Sequence, residues 1–329
     1  MADEHFENLL GICIPTYNRG FYLKQCLASI IKQFSTFDFP VYVSDNASSD
    51  DTDDVILYYK AIYDNIHYNR NSSNLGPYQN ILNVIKMAQT DYVWLMGDDD
   101  AIMENSLNKI VKCLQNGYDF VILNSVSYDQ NFERVKANKI IDCSCDFQYG
   151  PGEHEILLMA LRKWGYNGYM SAMIIRRSLL LNLIKFYESE NFILHNGSWL
   201  PTALFWEAII GKSGLFLCEP IVLNRDNPRA SGKNFWEYIF VDRVKTLEYL
   251  HTKGYNLNVL RRSLGFGILS TILLAMRARG ENQNAVIFND FVKFNKLISI
   301  RIKLIVMVID LLPPLICIIL NGVVHKILV

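Results

Sequence analysis

The sequence predicts an α/β fold, a mainly parallel sheet flanked by helices, followed by a helical C-terminal region. Two observations carry this. Short apolar runs alternate with amphipathic, helix-length segments over roughly the first 125 residues, the spacing of βαβ units. From about residue 236 onward the apolar spacing is helical throughout.

Residues 9–14 form the first strand signal, which stops at Pro15. Leu23, Leu27, Ile30 and Ile31 then share one helical face. Val41-Tyr42-Val43 is the second strand, ending in Ser44-Asp45-Asn46-Ala47-Ser48-Ser49. The next helix carries Val55, Ile56, Tyr59 and Ile62, with capping residues and acids in its first turn. Residues 66–68 read as a strand, about 78–89 as a helix and 92–95 as a strand. A helix over about 104–116 and a strand over 120–123 complete the regular part. The stretch 126–235 is less regular and rich in Tyr, Trp, Gly and Asn, with a strand expected over 170–175 after Gly165-Tyr166-Asn167-Gly168-Tyr169. Such loops suit sugar faces and hydroxyls as well as ordinary turn and packing duty. Three segments are therefore expected, 1–125, 126–235 and 236–329.

Composition narrows the function. Hydrophobic residues make up 50% and charged residues 20%, which excludes a disordered or fibrous chain. A formal net charge of −1 argues against a nucleic-acid footprint. Of seven cysteines, Cys13 and Cys26 fall on core positions of a protein in a reducing compartment. Cys143 and Cys145 lack the second pair or the spaced histidines that a zinc site needs. Residues 1–8 are polar and acidic, without the basic start of a secretory signal, so the sequons at Asn46, Asn71 and Asn196 carry no weight. Gly265-Phe266-Gly267 follows no strand signal, so it is not a dinucleotide loop, and no Walker-type lysine loop occurs.

The stretch 302–329 is strongly apolar, interrupted by Lys303, Asp310, His325 and Lys326. Asp310 and Pro313-Pro314 break it as a membrane span, and Arg301 and Lys303 at its edge suit a segment lying among headgroups. Interfacial membrane attachment ranks first, a buried or dimer-forming helix pair second, a true span last.

The chemistry centres on Tyr92-Val93-Trp94-Leu95-Met96-Gly97-Asp98-Asp99-Asp100, an apolar strand that ends in three consecutive carboxylates. Adjacent anions repel, and each costs free energy when desolvated without a partner, so a cation is expected at this strand end. In open α/β sheets ligands bind just there. A solvated acidic turn is the rival reading of the segment by itself.

Pro15-Thr16-Tyr17-Asn18-Arg19, Ser44-Asp45-Asn46-Ala47-Ser48, Asn74-Leu75-Gly76 with Asn80, and Gly97-Asp98-Asp99-Asp100 recur in that order. Together they resemble the motifs of family 2 glycosyltransferases with the GT-A fold, most of all the abequosyltransferase-like O-antigen enzymes. The resemblance covers roughly the first third of the chain. It implies a GT-A type, Rossmann-like sheet and inverting transfer of a sugar from a nucleoside-diphosphate donor to a glycan, lipid-linked in the family's usual setting, at the inner face of the plasma membrane. It also implies donor contacts from Pro15, Thr16, Tyr17, Arg19, Asp45, Asn46, Asn74, Gly76, Asp98 and Arg225. Mg²⁺ or Mn²⁺ is expected on Asp99, with Asp100 in the same metal site as the loop's support.

Three departures from the family pattern stand out. Gly97 takes the place of the first Asp in the family's Asp-x-Asp-Asp cluster, which alters the expected sugar contact. Asn46 replaces an Asp that reads the base; an amide both donates and accepts, which suits cytosine, so CDP joins UDP as a candidate nucleotide. The Glu-Asp pair that supplies the general base falls in register at Trp199-Leu200, leaving His195 and Glu207 as candidates. Counting runs back from Cys218-Glu219-Pro220, and Arg225 follows at the next strand end as a planar cation. A non-catalytic glycan-binding protein and a sugar-nucleotide nucleotidyltransferase are the rival classes; the second would need a Gly-rich basic loop after the first strand, where only Arg19 is basic.

Overall fold

The structure, a computed structural model, describes residues 8–34, 38–162, 168–189, 200–225, 242–263, 275–276, 278–279, 300–314 and 316–317. The chain forms two compact units, Met1–Leu157 with Gly168–Asn227, and Leu158–Asn167 with Pro228–Val329.

The first unit begins β1 (Leu10–Thr16), α1 (Gly20–Ile31), β2 (Val41–Asp45), α2 (Thr52–Ile62), β3 (Ile66–Arg70), α3 (Gly76–Met87) and β4 (Tyr92–Leu95). It continues with β5 (Ala101–Ile102), α4 (Leu107–Gln115), β6 (Phe120–Tyr128), β7 (Val135–Ala137) and β8 (Phe147–Tyr149). After α5 (His154–Ala160) come β9 (Met173–Arg176), α6 (Arg177–Ser189), α7 (Leu200–Ala208) and β10 (Gly214–Arg225). The second unit holds α8 (Arg243–Thr252), α9 (Leu257–Ser263) and α10 (Ile300–Leu311).

The strands join in one sheet of order β3-β2-β1-β4-β9-β6-β10-β5, with β7 added on β6 and β8 on β10. Pairing is parallel through β3-β2-β1-β4, as the alternation of elements requires. Beyond β4 the sheet is mixed: β9 runs antiparallel to both β4 and β6, while β6 and β10 are parallel. The strand expected over 170–175 forms over Met173–Arg176, after a short 3-10 turn at Met170–Ala172; periodicity does not report that this late strand inserts between two earlier ones.

The core lies where the apolar stripes meet the sheet. Leu23, Leu27 and Ile30 of α1 are buried against β1, whose own residues are apolar on both faces, the mark of a central parallel strand. Val55, Ile56 and Tyr59 of α2 are buried as the spacing predicts, whereas Ile62, the last residue of that helix, is 56% exposed. Trp94 is fully buried, and its Nε1 donates to the Ser171 carbonyl at 2.8 Å, so neither its ring nor its N–H is left wanting.

Cys13 and Cys26 are free and buried, as expected. Cys143 instead pairs with Cys218 in a disulfide that spans 75 positions and ties the segment after β7 to β10. That pairing was not expected, because the two lie far apart in sequence. In the second unit, α10 turns Val306 and Ile309 inward and leaves Leu304, Met307, Val308 and Leu311 exposed. Among the described residues no helix is long and apolar enough to cross a membrane. Residues 318–329, His195, Asn196, Trp199 and the Gly265-Phe266-Gly267 segment lie outside the described residues.

Candidate active site

The carboxyl ends of β1, β2 and β4 bring the four sequence tags together. β4 stays in register with β1 as far as Met96, whose N–H donates to the Cys13 carbonyl at 2.9 Å. The chain then turns through the acidic loop, residues 97–100, before β5.

The three carboxylates have different partners. Asp98 Oδ2 accepts from Thr16 Oγ1 at 2.7 Å, and its Oδ1 from Arg19 Nη1 at 2.9 Å. Arg19 Nη1 also reaches Asp99 Oδ2 at 3.0 Å, so one guanidinium bridges two acids. Asp100 Oδ2 accepts from Ser171 Oγ at 2.5 Å and Tyr169 Oη at 2.8 Å, and its Oδ1 from the Arg225 N–H at 3.0 Å. Asp98 and Asp100 are buried; Asp99 is the more open of the three, with 16% of its side chain exposed.

Burial dominates their electrostatics. It pushes the Asp98 carboxyl up to about 6 against the opposing pull of Arg19. It pushes Asp100 up to about 7, with the charge of Asp99 adding to the rise. Burial works against the Arg19 guanidinium, yet Asp98 and Asp99 outweigh it and hold that group above its ordinary value.

Gly97, which stands where the family pattern has an Asp, has a steric reason. A Cβ there would lie 3.1 Å from Asp99 Oδ1, 3.2 Å from Asp100 Oδ2 and 3.3 Å from Ser171 Oγ. A carboxylate at this position would press a fourth anion into that crowd.

On the β2 side the site is lined with amides. Asp45 is buried and accepts from the Ser48 N–H at 2.9 Å, a bond that closes the turn in which Ala47 takes φ +63°. Asn46 Nδ2 donates to Asn74 Oδ1 at 2.7 Å, while its Oδ1 accepts from Asn71 Nδ2 at 3.1 Å and the Leu75 N–H at 2.9 Å. Both lone pairs of that oxygen are therefore taken. The two-point reading of cytosine expected of Asn46 is not available while these bonds stand. Asn80 donates to the Thr16 and Ser44 carbonyls at 3.2 and 2.8 Å, fixing α3 against β1 and β2. Gly76 opens α3 at φ +82°, which the glycine makes inexpensive. Asn46 and Asn71 are both buried in this network.

β1 runs one residue past the expected stop at Pro15: Pro15 pairs with Ser44 and Thr16 with Asp45, and Tyr17 stands exposed just beyond. Arg225, the last described residue of β10, is buried. Its Nε donates to the Asp99 carbonyl at 2.7 Å, Nη2 to Gln25 Oε1 at 2.6 Å and Nη1 to the Gln130 carbonyl. Glu207 lies on α7 with both carboxylate oxygens hydrogen bonded by Tyr187 Oη, at 2.7 and 2.6 Å.

Among the described residues no three His, Cys, Asp or Glu side chains converge as a metal cage. The donor set still fits a hard cation. Asp99 offers a carboxylate oxygen, Oδ1, that no described residue hydrogen bonds, and Mg²⁺ needs only one or two carboxylates plus substrate phosphates and water. Asp100, by contrast, has both oxygens committed to the protein.

Ser171, Tyr169, Gln25, Gln130 and Phe132 were not anticipated as neighbours of the site. Ser171 and Tyr169 arrive just ahead of β9, whose place beside β4 is a matter of topology.

Residues 11–183 match the family described as "Glycosyl transferase family 2". An abequosyltransferase, RfbV, of Salmonella typhimurium is 45% identical over 101 residues, 30% of each chain. A Campylobacter jejuni GalNAc(5)-diNAcBac-PP-undecaprenol beta-1,3-glucosyltransferase is 32% identical over 116 residues, 35% of this chain and 37% of that one. The match thus spans about a third of the length of these curated relatives. Among solved structures, Staphylococcus aureus TarS 1-349 in complex with UDP superposes with a TM-score of 0.60 at 16% identity, covering 92% of this chain and 88% of that chain. A Pyrobaculum calidifontis mannosyltransferase, PcManGT, in complex with GDP-Man and Mn²⁺, superposes with a TM-score of 0.51 at 14% identity, covering 94% and 88%. Both likenesses concern the fold. With the matched segment spanning more than half of the chain and carrying all four tags, the chain belongs to glycosyl transferase family 2.

Proposed function

We propose that this protein is an inverting glycosyltransferase that moves a sugar from a nucleoside-diphosphate donor, UDP- or CDP-linked, to a glycan acceptor in surface-polysaccharide synthesis. The observation that carries the reading is the division of labour in the acidic loop. Asp98 and Asp100 are consumed by the protein, while Asp99 Oδ1 takes no hydrogen bond from any described residue. Relatives named for abequosyl and undecaprenol-linked glucosyl transfer support the polysaccharide setting.

Asp99 would hold Mg²⁺ or Mn²⁺, which when bound neutralises charge on the departing diphosphate. Thr16 and Arg19 orient Asp98 toward the donor, and Tyr17, Asn74 and Gly76 border the nucleoside. Asn46 shapes the 71–76 turn rather than reading the base. Residues 1–125 serve the donor and 126–235 the acceptor. For the general base we place His195 ahead of Glu207, whose carboxylate already answers Tyr187. The exposed face of α10 attaches the protein to the inner leaflet, where a lipid-linked acceptor sits; pairing of two copies through that face is the second reading.

Calorimetric titration of UDP, CDP and GDP, with Mn²⁺ and after chelation, tests the core of this. Metal-dependent binding of one nucleotide, lost in Asp99→Ala, is the expected result. Binding of none would leave the glycan-binding reading in its place.

A further inference from the structure

We propose that Phe132, at the tip of the β6–β7 hairpin, is a positioning residue for the acidic loop and acts through Arg225. The proposal rests on the donor-site reading above. Phe132 has φ +59°, a left-handed conformation that bulky side chains seldom enter. The turn imposes it. Asp129 Oδ1 accepts the N–H groups of Asn131 at 3.2 Å and Glu133 at 2.9 Å, and the Asp129 carbonyl accepts the Phe132 N–H at 3.2 Å. Asn or Gly would take this backbone at less cost, so the turn alone does not account for a phenylalanine.

What the ring touches does. The Arg225 Cζ lies 3.8 Å from the Phe132 ring centroid and 5.0 Å from that of Tyr22. The neighbouring Gln130 carbonyl accepts from Arg225 Nη1, so the hairpin tip holds the guanidinium by its face and by one edge. The opposite side of the same residue holds the acidic loop, through Nε to the Asp99 carbonyl at 2.7 Å and through the main-chain N–H to Asp100 Oδ1 at 3.0 Å. Burial of Arg225 removes competing water, which is the setting in which a cation over an aromatic face is strongest. An unbroken path therefore runs from Phe132 through Arg225 to the peptide that aims the Asp99 carboxylate. The strained backbone at the hairpin tip is offset at the site.

The test is Phe132→Asn, which keeps the turn and removes the ring, with Phe132→Tyr as the conservative variant. Hydrogen exchange at amides 98–101 of the free protein reads the positioning directly. Titration with UDP, CDP and GDP in Mn²⁺ reads its consequence. The Asn variant should exchange about tenfold faster at 98–101, with β1 and β2 amides unchanged, and bind nucleotide about tenfold more weakly. The Tyr variant should restore both. Wild-type exchange at 98–101 in the Asn variant, or faster exchange spread across the whole sheet, overturns the proposal and leaves Phe132 as packing. If the wild-type protein binds no nucleotide, the donor reading falls, and exchange at 98–101 still decides for or against Phe132.

Discussion

Thr16 Oγ1 donates to Asp98 Oδ2 at 2.7 Å, joining the ends of two neighbouring strands across 82 positions of sequence. The bond answers an anion that burial has stripped of water. Thr16→Val keeps the shape and deletes the donor. It should cost about 1–3 kcal/mol in urea unfolding and raise the Asp98 carboxyl further, whereas Thr16→Ser should be close to neutral. Equal stabilities for Val and Ser would show that the bond contributes nothing.

Gly97→Ala and Gly97→Asp separate volume from charge. Alanine brings a Cβ within 3.1–3.3 Å of Asp99, Asp100 and Ser171, so a modest drop in melting temperature is expected. Aspartate adds an anion to the same crowd and should fall further, with part of the loss recovered near pH 5. A deficit that does not depend on pH would remove charge from the explanation.

The stability of the metal-free protein should fall as pH rises from about 4 to about 7. Asp98 and Asp100 are raised from 3.8 to about 6 and about 7, chiefly by burial. Across that window the folded state holds protons that the unfolded state has released. Unfolding is therefore favoured as pH climbs, and above about 7 these groups contribute no further change. Urea midpoints at half-unit steps would check the slope, and Asp100→Asn should flatten it.

Asn46→Asp should disorganise the site rather than switch its base. A carboxylate cannot donate to Asn74 Oδ1, and the two oxygens would face each other across 2.7 Å. The expected result is a loss of about 1–3 kcal/mol together with weaker binding of every nucleotide. A clean exchange of CDP for UDP preference at unchanged stability would instead make Asn46 the reader of the base.

Reduction should be visible without touching the site. The Cys143–Cys218 bridge closes a segment of 75 positions, so dithiothreitol or Cys143→Ser should lower stability by about 2–4 kcal/mol. Thiol titration of the unreduced, denatured chain should find five free groups. Seven would place the pair in its reduced form.

The strand-end motifs of this molecule were legible because their logic is local. Each tag follows its own strand, so an apolar run such as 92–95 announces both the strand and where its ligand end lies. The stripe of α1 and the strand of β2 could be read in the same way. What escaped is long-range. Nothing near Ser171 says that its hydroxyl will meet Asp100, and nothing near Cys143 names Cys218. Arg225 was singled out as a cation for the diphosphate, but its partners Gln25 and Phe132 come from a helix and a hairpin that only the sheet order brings together. Asn46 shows a second limit. Residue type fixes what a side chain offers, and its neighbours decide what remains to offer.

The order of the sheet also sets a schedule for assembly. β4 can join β1 as soon as both have been synthesised, but β5, on the far side of the acidic loop, has β10 as its partner. Ile102 waits for Val222, and the loop between β4 and β5 is clamped at one end only until then. Long-range pairing of this kind comes late because the intervening chain must first be closed into a loop. A nascent chain can already hold Asp98 through Thr16 and Arg19, but it lacks the Arg225 bonds to the Asp99 carbonyl and to Asp100 until residue 225 has left the ribosome. The complete acidic-loop site is among the last features of the first unit to form, and a chain released early would lack its Arg225 clamp however well its first four strands had folded.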